Sequence, residues 1–382
     1  MNFEPTEEQD FIRQTVRDFA EREIKPIAQS LDEKEQFSTE LTEKMGELGL
    51  FGMNLPEKYG GQNLDTLSYI IAVEELARID GSQAATLAAH NSLGIGPLYY
   101  YGTEEQKMKY LPPLCTGKAL WAFGLTEPDA GSDSRGTKTK AVLQDGKWRI
   151  NGSKIFITNG SEEISLGATV QAVTKVHNNG KKEFSTIIVE KGTAGFRRVQ
   201  MHGKLMWRAS DTSELYFDDC EVPEENLLGE IGQGSKIMLS TLDNGRLSIA
   251  AMGLGLAQGA YEMAMQYAQE RKQFGKPIAK FQINAFKLAD MATKIELGRN
   301  LLYKTCWLKD NGKAFAKEAA MSKLYCSEIA KSVADEAVQI HGGYGLMKDY
   351  PIERFYRDQR LLQIGEGTSE IQRLVISRYI GC

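Results

Sequence analysis

Apolar residues at helical spacing dominate both ends of the chain, while short apolar runs broken by turn residues dominate its middle. Near the start, Phe11, Ile12, Val16, Phe19, Ala20 and Ile24 share one helical face. Thr6 and Gln9 precede them at capping-box spacing, so a helix is expected to begin there, and Pro26 to end or bend it. A second amphipathic stretch passes through Leu41, Met45 and Leu48 to Gly49, and a third spans 67–76. Thr103 and Gln106 repeat the capping signal before Met108 and Leu111. The segment 83–101 is so rich in small and apolar residues that it reads as a buried helix.

At Trp121 the texture changes to strands. Ala141 to Leu143 and Trp148 to Ile150 flank Asp145-Gly146, a hairpin signal. Val170 to Val173 and Ile187 to Val189 flank Asn178-Asn179-Gly180, and Leu215-Tyr216-Phe217 ends before Pro223. The helical period returns over 235–273, 282–310, 314–340 and 368–380, four helices with short connections that suggest a bundle. The expected class is α+β multidomain: an N-terminal helical domain (1–120), a middle antiparallel β-domain (121–230) and a C-terminal four-helix bundle (231–382).

Length changes little in this picture, since 382 residues fit two or three domains. The net charge of -5 argues against a nucleic-acid partner, which calls for a basic face. No apolar run is long enough to span a bilayer. Met1 is followed by Asn2, Phe3 and Glu4 without a basic-then-apolar leader, so a cytoplasmic protein is expected. Cys115, Cys220, Cys306, Cys326 and Cys382 include no CxxC pair and read as reduced thiols. His90, His177, His202 and His341 are scattered, and no metal site is expected.

Two segments are more specific than the rest. One is Phe123-Gly124-Leu125-Thr126-Glu127-Pro128-Asp129-Ala130-Gly131-Ser132-Asp133, followed by Asn151-Gly152-Ser153-Lys154-Ile155-Phe156-Ile157-Thr158-Asn159. The other is Ile364-Gly365-Glu366-Gly367-Thr368-Ser369-Glu370-Ile371-Gln372-Arg373. Between them lie Arg271-Lys272-Gln273-Phe274-Gly275 and Gln339-Ile340-His341-Gly342-Gly343-Tyr344-Gly345. Together, in order and over essentially the whole chain, these resemble the signatures of the acyl-CoA dehydrogenase family. No GxGxxG follows a strand, so the chain is not a Rossmann flavoprotein.

Making a double bond between Cα and Cβ of an acyl thioester needs a base, stabilisation of an enolate-like charge, and a hydride acceptor such as a flavin. The resemblance puts the base at Glu366, between Gly365 and Gly367, which line the substrate. It implies that the Glu366 amide helps hold the thioester oxygen, and that burial by substrate raises the carboxyl pKa. Read alone, Glu366 is equally a glutamate in a Gly-rich turn capped by Thr368 or Ser369. Some family members carry the base at the position of Gly245 here, where glycine cannot serve. Asp243 and Arg246 resemble the family's CoA-contacting pair; their plain alternative is a surface ion pair. For FAD, the resemblance implies Phe123, Leu125, Thr126, Phe156 and Thr158 around the isoalloxazine, with β-domain core as the alternative for the aromatic pair. Ser132 resembles a residue at the CoA and flavin phosphates. Arg271, Gln273, Phe274, Gln339 and Gly343 resemble contacts to the adenine half of FAD across a subunit boundary, and Gln282, Thr368 and Glu370 are counted with the cofactor contacts. His341 reads as a surface or core residue beside this site.

The family also implies a homotetramer, a dimer of dimers, and electron transfer to an electron-transfer flavoprotein. An acyl-CoA oxidase is an alternative whose chains are longer; a silent, nucleic-acid-binding flavoprotein of this fold carries an added basic domain. Two positions depart from the common pattern: Met206, where glycine is usual, and Gly365, where many straight-chain enzymes have tyrosine. Gly365, Gly245 and the small residues Ala85, Ala88, Ala89, Ser92 and Gly94 suggest a short acyl group with bulk near Cα or Cβ, branched or alicyclic; the equal alternative is a butyryl-type enzyme in which a neighbouring side chain or water fills the space of the missing tyrosine. The stretch 83–97 holds no Arg or Lys to pair a terminal carboxylate.

Overall fold

The computed structural model describes residues 4–382; Met1 to Phe3, where the chain start was read as lacking a leader, lie outside the described residues. Helix α1 (Glu7–Phe19) opens at the expected capping box. Thr6 Oγ1 accepts from the Gln9 amide at 3.2 Å and Gln9 Oε1 from the Thr6 amide at 3.0 Å. Pro26 does not end the helix. A π turn at Ala20–Ile24 runs straight into α2 (Lys25–Lys34), and proline falls in its first turn, where a missing N–H is tolerated. There follow α3 (Thr39–Glu47), α4 (Thr66–Ala77), α5 (Gly81–Ala89), a second π turn at His90–Gly94, α6 (Ile95–Tyr101) and α7 (Glu104–Leu114). The buried helix expected over 83–101 is therefore α5 and α6 joined by a π turn.

The middle strands are β1 (Leu120–Gly124), β2 (Lys140–Gln144), β3 (Lys147–Thr158), β4 (Ser165–Val176), β5 (Lys182–Glu190), β6 (Phe196–Gln200), β7 (Thr212–Pro223) and β8 (Leu227–Leu228). They form one sheet in the order β6-β7-β3-β2-β4-β5-β8, with β1 on β4. Pairing is antiparallel except that β1 runs parallel to β4, as does one bridge of β2. A long loop rather than a hairpin leaves β1, which frees it from antiparallel pairing. The Asp145-Gly146 hairpin forms as expected: Gln144 pairs Lys147, and φ of 53° and 72° at the two loop residues suits a type I′ turn.

The C-terminal helices are α8 (Gly234–Glu270), α9 (Gln282–Asp310), α10 (Ala316–His341), α11 (Ile352–Asp358) and α12 (Ser369–Ile380), with a two-stranded ribbon, β9 (Lys272–Gln273) and β10 (Lys276–Pro277), between α8 and α9. Helix α8 is central: one hydrophobic core joins it to α4, α5, α9 and α10. Its glycines permit the close approach. A methyl at Gly253 would lie 2.7 Å from the Cys326 carbonyl of α10, and one at Gly255 2.8 Å from Ala77 Cβ of α4. Among the described residues no helix is long and apolar enough to cross a membrane, and no His, Cys, Asp and Glu cluster could hold a metal ion.

Candidate active site

Glu366 sits in the turn before α12 with φ 53°, followed by Gly367 at φ 94°. A left-handed conformation costs about 1–2 kcal/mol at a residue with a side chain, so the turn needs support. It comes from two helices. Lys323 of α10, wholly buried, donates from Nζ to the Gly367 carbonyl at 2.7 Å. Gln372 of α12 donates from Nε2 to the same carbonyl at 2.9 Å and to the Glu366 carbonyl at 3.3 Å. Thr368 is the N-cap of α12, its hydroxyl accepting from the Ile371 amide at 3.2 Å. Glu370 is exposed on the following turn.

This conformation aims the Glu366 side chain at α8. Its Oε2 is buried and has no hydrogen-bond partner among the described residues. It lies against Gly245: a methyl built there would overlap that oxygen and stand 3.0 Å from Leu93 Cδ2. Burial raises the Glu366 carboxyl to about 7, against the pull of the Lys323 and Arg246 charges. Tyr69 of α4, whose hydroxyl meets Ser248 Oγ at 2.9 Å and the Ala88 carbonyl at 3.2 Å, also lies within the field of this carboxylate.

Arg246 pairs with Asp243 on the same helix. This is not a surface pair: Arg246 is 6% exposed, its Nε has no partner among the described residues, and its charge acts on Glu366. Phe123 and Leu125 are buried with Met238 of α8, and Leu93 and Leu242 pack against them. Leu93 thus belongs to both groups and joins the expected flavin wall to the Glu366 carboxylate. Phe156 is not β-domain core, the alternative entertained for it: it is 63% exposed at φ 59°, an apolar ring held out from β3. Thr126 and Thr158 are half-buried, and Ser132 is exposed in the loop after β1.

Lys154 and Glu127 lay inside the quoted motifs but were given no role. The Lys154 ammonium, wholly buried, donates to the Leu125 carbonyl at 3.1 Å and to Glu127 Oε1 at 2.7 Å. Glu127 also accepts from the Thr139 amide at 3.1 Å and the Lys138 amide at 2.6 Å. The pair anchors the 125–127 segment. The available signal was a lysine in period-two phase with Trp148 and Ile150, the buried positions of an alternating strand.

A third group lies apart. Arg271, Gln273, Gly343 and His341 line a cavity of about 540 Å³ with Tyr267 and Tyr344; neither Glu366 nor the 123–126 and 156–158 segments line it. The Arg271 guanidinium sits 5.7 Å from the centre of the Tyr344 ring. His341 is buried, stacks on Tyr267 at 4.4 Å, and bonds through Nδ1 to the Ala337 carbonyl at 2.7 Å; burial lowers its pKa, so it is neutral near pH 7. A methyl at Gly343 would meet nothing within 4 Å, leaving the backbone open to the cavity. Gln282 and Gln339 are exposed, and Phe274 is 93% exposed.

The wall of small residues on α5 and α6 is only partly open. A methyl at Gly94 would lie 2.6 Å from the Trp121 carbonyl, so this glycine serves packing on β1. Ser92 and Gly96 line a second, small cavity with Tyr69, Asn244 and Lys309, and neither Gly365 nor Glu366 borders it. A lysine from α9 therefore stands opposite a stretch that has none of its own. At Gly365 an added Cβ would fit without a clash, its nearest neighbours being Leu361 atoms in ordinary contact at 3.6 Å.

A desolvated carboxylate facing a buried arginine, beside a partly uncovered apolar wall, is suited to taking a proton from a bound substrate. Models of the acyl-CoA dehydrogenase N-terminal, middle and C-terminal domains match residues 6–118, 122–220 and 232–381. The chain belongs to the acyl-CoA dehydrogenase family. A short-chain-specific acyl-CoA dehydrogenase of Clostridium acetobutylicum is 48% identical over 377 residues, 99% of each chain. The butyryl-CoA dehydrogenase of Megasphaera elsdenii superposes with a TM-score of 0.96 at 44% identity, and a chain of the solved electron transferring flavoprotein of Acidaminococcus fermentans with 0.96 at 47%, both over the whole of each chain.

Proposed function

We propose that this enzyme oxidises a short acyl-CoA thioester to the 2-enoyl-CoA, with Glu366 as the base and FAD as cofactor. The observation that carries the reading is the Glu366 carboxylate. It is desolvated, has one oxygen without a partner, and titrates near the pH at which a base must both hold and release a proton. Glu366 takes the Cα proton, and its amide is the expected donor to the thioester oxygen. Asp243 and Arg246 hold the CoA moiety along α8. Phe123, Leu125, Thr126, Phe156 and Thr158 hold the flavin ring; the uncovered Phe156 ring and the anchored 125–127 segment fit a large planar group. Bound FAD supplies the acceptor for the hydride that leaves Cβ. An electron-transferring flavoprotein is the expected electron acceptor, a reading supported by the likeness to the Acidaminococcus fermentans chain. Anaerobic bleaching of the flavin by a panel of acyl-CoAs tests the reaction class: a holoenzyme bleached by none of them has another function.

The likeness to butyryl-CoA dehydrogenase favours a four-carbon chain, and the missing side chain at Gly365, next to Glu366 in sequence, favours room for a branch. Both are met by butyryl-CoA together with its α-branched and alicyclic relatives. Gly365→Tyr is expected to lower kcat/KM for isobutyryl-, 2-methylbutyryl- and cyclohexanecarboxyl-CoA by about tenfold or more relative to butyryl-CoA, the scale at which a pocket discriminates one or two methylenes. An equal loss on all four substrates would show that position 365 does not shape the acyl pocket.

The cavity at Arg271 lies away from Glu366 in its own chain, which supports a site completed by a neighbouring subunit. Exposed apolar side chains on α9 and α12, among them Phe286, Trp307, Leu374 and Ile380, supply surface for such contacts. The expected assembly is a homotetramer. Arg271→Ala is expected to weaken FAD retention by about tenfold, since a hydrogen bond to a charged partner contributes roughly 1.5–3 kcal/mol. Sedimentation of a monomeric holoprotein, or unchanged FAD loss on dilution of the variant, contradicts this arrangement.

A further inference from the structure

Lys323 takes no part in the steps above, yet its ammonium is wholly buried on α10 and bound directly to the turn that carries Glu366. Its main chain is fixed as well. Ser327 Oγ, one turn on, donates to the Lys323 carbonyl at 2.6 Å or the Leu362 carbonyl at 2.9 Å, and Gln363 Nε2 donates to the Ser327 carbonyl at 2.8 Å. The segment leading into the catalytic turn is thus tied to the same stretch of α10. A buried cation whose bonded partner, among the described residues, is a neutral carbonyl is costly unless its charge is used. The groups that face it are Glu366 in the turn, Arg246 on α8, Glu328 on its own helix and Glu370 on α12. Tyr69 on α4 and Arg246 complete the charged and titratable surroundings of Glu366.

We infer that Lys323 is the positioning residue for Glu366: its ammonium clamps the Gly367 carbonyl, holds the left-handed turn that aims the carboxylate at Gly245, and places a positive charge behind the base. The inference rests on Glu366 being the base. With its charge, Lys323 opposes the effect of desolvation on the carboxyl; without it, the proton is held more tightly and the base form appears only at higher pH. Lys323 itself is pushed down to about 8 by burial, so its help fades as pH rises through that value.

The test is the pH profile of anaerobic flavin reduction by butyryl-CoA in holoenzyme, for wild type, Lys323→Met and Lys323→Gln. Wild type is expected to gain rate through about pH 7. In Lys323→Met the midpoint is expected to move up by roughly one unit and the high-pH plateau to fall by about tenfold or more as the turn loosens. Lys323→Gln, neutral but still a donor, should show the same midpoint shift with a smaller loss of plateau. A cation that served only folding would move neither midpoint. Unchanged midpoints in either FAD-loaded variant overturn the inference, as does failure of both variants to accumulate as holoenzyme, which marks Lys323 as purely structural. Glu366→Gln run alongside separates the two claims: if that variant still reduces its flavin, the base assignment fails; if it does not and the Lys323 profiles match wild type, only this inference fails.

Discussion

Glu366→Gln is expected to lower the rate of flavin reduction by ~10²–10⁴-fold while FAD content and assembly stay as in wild type. The amide matches the carboxylate in shape, so the contact with Gly245 and the bonds from Lys323 and Gln372 to the turn's carbonyls are kept. What is lost is the capacity to take a proton. Stability separates this from a folding defect. The Glu366 pKa is raised in the folded state from 4.5 to about 7. The cost of holding the charge is therefore absent below the unfolded value, grows as pH rises from there to the folded value, and is fully present above it. Glutamine removes that cost, so Tm of the variant at pH 8 is expected to equal or exceed that of wild type, with a difference that narrows towards pH 5. Stopped-flow reduction and a thermal melt at two pH values are the measurements. A variant that reduces its flavin at near wild-type rate with a good acyl-CoA places the base elsewhere.

Where the sequence was explicit, the signal was local. Thr6 with Gln9, Thr103 with Gln106 and Asp145-Gly146 each bond within three or four residues, and each forms the cap or turn expected of it. The chain continues helically past Pro26 because a π turn gives proline a tolerated place, and periodicity carries no mark of a π turn. The parallel pairing of β1 depends on a partner some forty residues on. Helix α11 is only seven residues long, too short for a periodic pattern to register. The site divides the same way. Glu366 and the 123–133 segment stand out as motifs, but motifs do not say which side chains face one another. That Gly245 is the surface against which the Glu366 carboxylate rests, that Lys323 is buried under the turn, and that Phe156 stands uncovered all depend on contacts across many residues of chain. Lysine within an amphipathic helix reads as solvated until the helix's neighbours are known.

Gly245→Ala puts that cross-chain geometry to a direct test, and it is expected to lower flavin reduction by about 100-fold, the scale of an ångström-sized misplacement at a reacting centre. The added methyl would occupy the space of Glu366 Oε2, with Leu93 Cδ2 only 3.0 Å beyond it. Relief by moving the turn is opposed by Lys323 and Gln372, which hold its carbonyls from two helices. Relief by moving α8 is opposed by the contacts at Gly253 and Gly255, where α10 and α4 press against its backbone. The carboxylate is the part left free to swing. Propensity works the other way: alanine in a helix interior is favoured over glycine by about 1 kcal/mol. A variant that melts near wild type but reduces its flavin slowly therefore locates the damage at the base and not in the fold. The double variant with Glu366→Gln sharpens the point. If the methyl acts through the carboxylate, Gly245→Ala adds little to the loss already caused by Glu366→Gln, because the two changes remove the same function. Full additivity of the two losses, or a wild-type rate in Gly245→Ala alone, would show that the Glu366 carboxylate does not rest against α8 at this position.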